Sequence, residues 1–431
     1  MRTIKVGVAG LGFVGRETVR LLAANQERFC RRLGARIELA AVCDRDVLKE
    51  ARALGLGSGV LRATTPQQLL GRPLDIIVEL MGGLEAPRRL VVDALKSGRH
   101  VVTANKRLLS HCWDEIQKAS AAGGGRLYFE GSVAGGIPLL AALDNSFAAN
   151  RIEALYGILN GTTNYILTRA EAGLSLEDAL KEAQKLGFAE KDPTMDVSGQ
   201  DTAQKISVLA SLITGAWIKP GAIDCSGITG LSREDLDFAR ESLGRAVRLL
   251  GVLRFDWKDG VRVEAHVAPT LVPLEHPLAA VRREYNAVLV KTSAADDLMF
   301  YGKGAGPGPT ASAVVGDIFM LSRDILGAIP ARRAPLGRAA LAPAQESVSS
   351  FYLRLFAQDR PGVLSSITAG LGRHGVSIAT IHQSDVLAPL GMPIVLTTHP
   401  TTLGRFQKAL EHIGALKTVA RRKTVMRILP S

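Results

Sequence analysis

The sequence predicts an α/β chain in three parts: an N-terminal parallel-sheet domain, a central α+β domain and a small C-terminal βαββαβ module. Three observations carry this. The chain opens with an apolar run, a glycine-rich turn and a helical repeat; strand-like and helix-like runs then alternate; and residues 350–431 read strand, helix, strand, strand, helix, strand.

At 431 residues the chain is long enough for two or three domains, each with its own core. Hydrophobic residues at 47% and charged ones at 22% exclude a disordered or fibrous chain. The formal charge of +12 is scattered, and aromatics at 5% offer few stacking platforms, so nucleic acid is not an expected partner and a phosphate-bearing small molecule is. No apolar run reaches the roughly 18 residues of a membrane span, and no signal peptide precedes the first strand. Cys30, Cys43, Cys112 and Cys225 lack metal or redox spacing, which points to buried thiols in a cytoplasmic protein.

Residues 4–9 form an apolar strand ending in Gly10-Leu11-Gly12-Phe13-Val14-Gly15, and Val14, Thr18, Leu21 and Leu22 follow at helical spacing. Strand, glycine turn and helix are the context of the dinucleotide fingerprint, hence a Rossmann-type domain: Gly10 for the tight turn, Gly12 for approach to the pyrophosphate, Gly15 for helix against strand. A second strand over 37–43 ends at Asp44-Arg45, delayed by the polar insertion 25–34. Asp44 suits the ribose of NAD and Arg45 the extra phosphate of NADP, which leaves the preference open.

Strands over 74–80 and 100–103, separated by a helix over 86–96, end at Glu79-Leu80-Met81-Gly82-Gly83 and Thr103-Ala104-Asn105-Lys106. Carboxyl ends of parallel strands form the ligand crevice, so these loops should border the nicotinamide, with Lys106 a candidate for cofactor or substrate contact against its ordinary fate as a surface lysine. The loop over 130–138 has glycines that either free backbone carbonyls for a monovalent cation or simply turn tightly. A strand over 155–159 runs into Asn160-Gly161-Thr162-Thr163-Asn164-Tyr165, either a capped helix start or a polar wall for an amino-acid substrate.

A helix over 176–186 delivers the stretch richest in chemistry, residues 187–205. Ser198 and Asp201 have the S-x-x-D capping spacing, so a helix is expected from near Ser198, with Ile206, Leu209, Leu212 and Ile213 at helical period. Asp201 and Lys205 then share one face. Alone they read as a surface ion pair worth roughly 0.2–0.5 kcal/mol; facing a cofactor they read as a substrate-gripping acid beside a proton-donating lysine.

Strands over 263–267 and 287–292, a second glycine loop over 302–308 and a helix over 310–321 follow. The expected domains are 1–150, completed by about 305–330; 151–304 for substrate and dimer contact; a proline-rich linker over 328–347; and 348–431. The last has its elements at 350–356, 363–373, 376–384, 394–398, 403–412 and 419–428, and carries no catalytic cluster, so binding or dimer contact is its natural role.

These residues resemble a known family. Residues 183–205 fit the homoserine dehydrogenase signature, including Asp192-Pro193, Asp196, Gly199, Asp201 and Lys205; residues 159–165, 103–106 and 302–306 are also similar to that family's motifs. Asp359-Arg360-Pro361-Gly362-Val363-Leu364 resembles an ACT module, the small amino-acid-binding regulatory domain. The resemblance implies reversible NAD- or NADP-dependent reduction of L-aspartate 4-semialdehyde to L-homoserine, in threonine, methionine and isoleucine biosynthesis. It implies Lys205 as proton donor and Glu190 and Asp201 as holders of the substrate's amino group. Lys106 would touch cofactor and substrate, and Gly187 and Gly302 would lie on the cofactor side, with Phe13 and Val14 in the pyrophosphate loop. Glu130, Val133, Gly135 and Ile137 would hold sodium or potassium, threonine would be the effector, and the assembly a homodimer or tetramer.

Hydride reaching the aldehyde carbon leaves an alkoxide that needs a proton or a nearby positive charge, and a lysine of reference pKa about 10.4 supplies one at neutral pH. A semialdehyde dehydrogenase using acyl chemistry would need a cysteine in a polar setting. The remaining alternative is a non-enzymatic regulator that senses dinucleotide and amino acid, which leaves the stretch around Lys205 without a purpose.

Overall fold

The computed structural model describes residues 2–329, 338–383 and 388–430. Strands β1 (Arg2–Ala9), β2 (Ala35–Cys43), β3 (Leu61–Ala63), β4 (Ile76–Glu79), β5 (His100–Thr103) and β6 (Leu127–Tyr128) form one sheet in the order β3-β2-β1-β4-β5-β6. The pairings β3–β2, β2–β1, β1–β4, β4–β5 and β5–β6 are all parallel. That is the doubly wound order expected of a dinucleotide-binding domain. Ile4, Val6, Val8, Ile76 and Val78 are fully buried, because helices cover such a sheet on both faces and its strands read as continuous apolar runs. The helix Pro307–Leu326, longer than expected, returns to this core through Val314, Ile318 and Leu321.

By compactness the chain divides into two units, one of Met1–Ile152, Gln204–Ala222 and Thr292–Ala339, the other of Glu153–Ala203, Ile223–Lys291 and Ala340–Ser431. In the second, a sheet runs through Tyr285–Thr292, Ile152–Ile158, Arg245–Asp256, Val261–Pro273, Val419–Ile428, Val348–Ala357, Met392–Thr398 and Ile378–Gln383. The 12-residue strand Arg245–Asp256 was not anticipated. Eight of its residues are buried in succession, so it lacks the alternation that marks a half-buried strand.

The tail folds as the expected βαββαβ module, with helices Val363–Arg373 and Leu403–Gly414 on one face and a core around the stacked rings of Phe351 and Phe406. Its last strand also pairs in parallel with Val261–Pro273, Thr270 against Arg427 and Leu271 against Ile428, so the module extends the central sheet. A buried polar seam runs along this joint. Arg354 forks onto Asp235 at 2.7 and 2.8 Å, Tyr352 donates to the same carboxylate at 2.9 Å, and Arg427 reaches Asp224 at 3.1 Å.

Of the expected linker, residues 330–337 lie outside the described residues, as does Ser384 at the end of an expected tail strand. The linker's latter part is structured: Ala342 N–H donates to the Val263 carbonyl at 2.7 Å. Of the four cysteines only Cys43 is buried; the others are half-buried, a correction to the expectation from their apolar neighbours. No helix among the described residues is long and apolar enough to cross a membrane.

Candidate active site

The glycine loop of the first unit uses its three glycines differently. Gly10 has φ +96°, and a Cβ there would lie 2.4 Å from the Leu80 carbonyl oxygen; a Cβ on Gly15 would meet the Gly10 carbonyl at 1.9 Å. Around Gly12 a Cβ would meet nothing within 4 Å, so this glycine leaves space above the backbone rather than relieving a contact. Gly12 N-caps the helix Phe13–Ala24 without any side-chain cap, and Phe13 is 81% exposed beside it. Uncapped N–H groups at a helix start suit an anion, and the loop therefore fits a dinucleotide pyrophosphate. Asp44 is already engaged: its carboxylate accepts from Leu11 N–H at 2.7 Å and Asp46 N–H at 3.1 Å, holding the loop, while Arg45 is exposed.

At the carboxyl ends of β4 and β5, Glu79 is fully buried and its carboxylate accepts from Thr103 Oγ1 at 2.6 Å and Met81 N–H at 2.8 Å. Burial pushes its carboxyl up from the ordinary range, against these hydrogen bonds. Thr103 Oγ1 in turn accepts from Asn105 N–H at 3.0 Å, and Asn105 caps the helix Lys106–Gly123 at Leu108 N–H. Lys106 thus stands, half-buried, at the first position of a capped helix. This Glu79-Thr103-Asn105 chain escaped the sequence reading, although Glu79 ending an apolar strand was its signal.

Glu130 is buried, and its carboxylate accepts from Leu140 N–H at 2.8 Å and Ala141 N–H at 2.7 Å. Its own N–H donates to Asp317 at 2.8 Å, a carboxyl that burial raises well above its usual value. Ala134 and Gly135 are both left-handed, at φ 57° and 49°. A Cβ on Gly135 would lie 2.5 Å from the Gly304 carbonyl, and one on Gly302 would lie 3.1 Å from Ile137, so the loops over 130–138 and 302–306 are pressed together. The turn's hydrogen bonds use the carbonyls of Ala134 and Ile137; among the described residues those of Val133 and Gly135 accept none.

In the second unit, the helix Leu176–Lys185 ends in a left-handed Gly187, with Phe188 N–H on the Ala183 carbonyl and Gly187 N–H on that of Gln184, a Schellman close. Gly187 therefore has a structural reason to be glycine. Gln184 Nε2 donates to the Glu190 carbonyl at 3.1 Å and Thr162 Oγ1 to that of Phe188 at 2.6 Å. These bonds leave an exposed Glu190 carboxylate on a pinned backbone.

The helix expected from Ser198 starts later. Ser198 is the C-cap of the short helix Thr194–Val197, Gly199 is left-handed at φ +82°, and the helix runs Gln200–Thr214 with its first bond from Ala203 N–H to the Gly199 carbonyl. The S-x-x-D spacing was misleading because Asp201 receives a different donor. Asn160 Nδ2 reaches Asp196 at 2.7 Å and Asp201 at 2.9 Å. Asp201 and Lys205 are 6% and 8% exposed, which removes the surface ion pair as a reading. Charges so buried are retained only with partners or a task.

Family models match three segments: "Homoserine dehydrogenase, NAD binding domain" over residues 10–130, "Homoserine dehydrogenase" over 138–319 and "ACT domain" over 351–417. Homoserine dehydrogenase of Neisseria gonorrhoeae is 38% identical over 438 residues, covering 99% of both chains. The chain belongs to the homoserine dehydrogenase family. The Bacillus subtilis homoserine dehydrogenase is 36% identical over 99% of each chain. A crystal structure of a homoserine dehydrogenase from Thiobacillus denitrificans superposes with a TM-score of 0.92 at 39% identity, over 100% of this chain and 99% of that one. The chain is accordingly an oxidoreductase that interconverts L-aspartate 4-semialdehyde and L-homoserine with a nicotinamide cofactor, and carries a C-terminal ACT domain of the amino-acid-binding kind. The non-enzymatic regulator is not favoured.

Proposed function

We propose that Lys205 is the proton donor of homoserine dehydrogenation run toward the alcohol, with Glu190 and Asp201 holding the substrate's ammonium group. The bound nicotinamide supplies or accepts the hydride. Lys205 gives its Nζ proton to the alkoxide oxygen as it forms, and takes it back in the reverse direction. The observation carrying this reading is the burial of Asp201 and Lys205 one turn apart on a single helix. A buried carboxylate favours the charged ammonium form of a partner, and a site excluding water strengthens both interactions.

Lys106 contributes from its capped helix start by touching cofactor and substrate. Gly10, Gly12, Phe13, Val14 and Gly15 hold the pyrophosphate, with Gly187 and Gly302 on the cofactor side. Arg45 favours NADP: it is exposed, whereas Asp44 already accepts two loop N–H groups. The loop of Glu130, Val133, Gly135 and Ile137 binds sodium or potassium through backbone oxygens; the carbonyls of Val133 and Gly135 that accept no hydrogen bond support that fit. The domain limits are those of the sequence reading, threonine is the effector at the ACT domain, and the assembly is a homodimer or tetramer. Met299 and Tyr301, exposed on the strand Asp297–Lys303, suit an interface between copies. The four free cysteines suit a cytoplasmic setting.

Steady-state kinetics test the substrate assignment. Glu190→Gln and Asp201→Asn each raise KM for homoserine roughly 10- to 100-fold, the scale of a lost hydrogen bond to a charged group, and leave KM for NADP near its starting value. Unchanged homoserine KM in both variants would sink it. The same assay with NAD beside NADP decides the Arg45 preference, and kinetics unmoved by added threonine would remove the effector.

A further inference from the structure

Glu79 is a fully buried acid that neither the hydride transfer nor the proton transfer uses, and it sits where β4 and β5 end side by side, in register with Thr103. Its two carboxylate oxygens serve different segments. Oε1 accepts from Met81 N–H at 2.8 Å, in the loop that leaves β4, and Oε2 accepts from Thr103 Oγ1 at 2.6 Å, at the end of β5. A carboxylate only accepts, so the Thr103 hydroxyl hydrogen goes to Glu79 and its lone pairs are left for Asn105 N–H at 3.0 Å. Asn105 Oδ1 takes Leu108 N–H at 3.0 Å as the helix cap, which turns Nδ2 onto the Gly83 carbonyl at 3.0 Å. Gly82 and Gly83 are left-handed, at φ 70° and 77°, and a Cβ on either would meet nothing within 4 Å, so hydrogen bonds rather than packing hold this stretch.

We infer that Glu79 is a positioning residue for Lys106: one buried carboxylate holds the loop after β4 and the start of the helix Lys106–Gly123 in a single register, and so sets where Lys106 stands toward the nicotinamide. The loops at the carboxyl ends of parallel strands form the ligand crevice, so apolar packing cannot fill the space above them and fix them. Hydrogen bonds to a charged acceptor are stronger than neutral ones and fix direction as well as distance. The same loop is tied to the pyrophosphate turn, since Leu80 N–H donates to the Ala9 carbonyl at 2.7 Å and a Cβ on Gly10 would lie 2.4 Å from the Leu80 carbonyl oxygen. Through Glu79 the position of Lys106 is therefore referred to the glycine turn at one end and to its own helix cap at the other.

This inference rests on the reading that Lys106 touches cofactor and substrate, so the test separates the two. Glu79→Gln keeps the shape but offers one acceptor where two are needed. Thr103→Val removes the hydroxyl between the carboxylate and Asn105, and Thr103→Ser keeps it. The full-length enzyme is assayed in each variant, in Lys106→Ala and in the double variant Lys106→Ala with Glu79→Gln. Measured are kcat for homoserine oxidation, NADPH affinity by fluorescence titration and thermal midpoint. Glu79→Gln and Thr103→Val each lower kcat on the order of 10- to 100-fold, the scale of a displaced reacting group, while Thr103→Ser stays near the parent. NADPH affinity falls less than kcat. In the Lys106→Ala background Glu79→Gln lowers kcat by less than about twofold, because the group it positions is gone.

A lowered thermal midpoint with the parent's kcat would make Glu79 a structural acid only and overturn the inference. So would a kcat loss in Glu79→Gln that recurs in full without Lys106, or a loss confined to NADPH affinity. If Lys106→Ala itself keeps the parent's kcat and NADPH affinity, the underlying reading of Lys106 fails and takes the inference with it. Should Glu79→Gln fold poorly, Thr103→Val against Thr103→Ser decides, each with and without Lys106→Ala.

Discussion

Two helix starts in this molecule are built to opposite plans. The helix Phe13–Ala24 begins at Gly12 with no side-chain cap, an exposed Phe13 and open space where a Cβ would be. The helix Gly161–Glu171 begins at a buried Asn160 whose amide accepts from the Thr163 N–H on one side and donates to two carboxylates on the other. The difference teaches how each recognises charge. The first leaves its orphan N–H groups for an anionic ligand to satisfy, so its chemistry lies in the backbone. The second is closed by a side chain, whose amide also binds two acid groups.

The comparison breaks most visibly within the glycine loop itself. A Cβ on Gly15 would meet the Gly10 carbonyl at 1.9 Å, so Gly15→Val prevents the helix from seating on β1, and the expected outcome is loss of soluble, folded protein on expression. Gly12→Ala meets nothing within 4 Å and should fold with an unchanged thermal midpoint. Its NADP affinity, measured by fluorescence titration, should still fall on the order of tenfold, the scale of one or two hydrogen bonds. Equal stability losses in the two variants would show that Gly12 serves packing and not the ligand.

A smaller effect is expected at the joint of the tail, where recognition is internal. Asp235 is fully buried against Arg354, so Asp235→Ala leaves an uncompensated guanidinium and should cost about 3–5 kcal/mol of unfolding free energy. Asp235→Leu combined with Arg354→Met should recover most of that loss in urea unfolding, because replacing both ions removes the unpaired charge. A double variant as unstable as the single one would contradict a simple ion-pair account.

The parts legible in sequence were those where one residue type has one physical reason. Gly10, Gly12 and Gly15 followed from strand, turn and helix, and the tail's six elements from their alternation. The role proposed for Lys205 rests on resemblance, and the packing around it was not legible. The S-x-x-D spacing suggested a cap at Ser198, but Gly199 in a left-handed conformation moved the helix start and Asn160, 41 positions before Asp201, supplied the donor. No local pattern encodes a bond between a strand end and a distant loop. For the same reason the Glu79-Thr103-Asn105 chain and the parallel pairing of the last strand with Val261–Pro273 became visible only once strands were placed beside each other. The strand Arg245–Asp256 was hidden by its burial on both faces.

The most direct measurement is on Lys205→Ala, with turnover and NADPH binding read in the same preparation. Turnover with homoserine should fall roughly 10²- to 10⁴-fold, the usual contribution of a positioned general acid, while NADPH affinity by fluorescence titration stays at the parent's value. Near-full turnover, or a loss explained by weakened NADPH binding, would contradict the assignment of Lys205 as the proton donor.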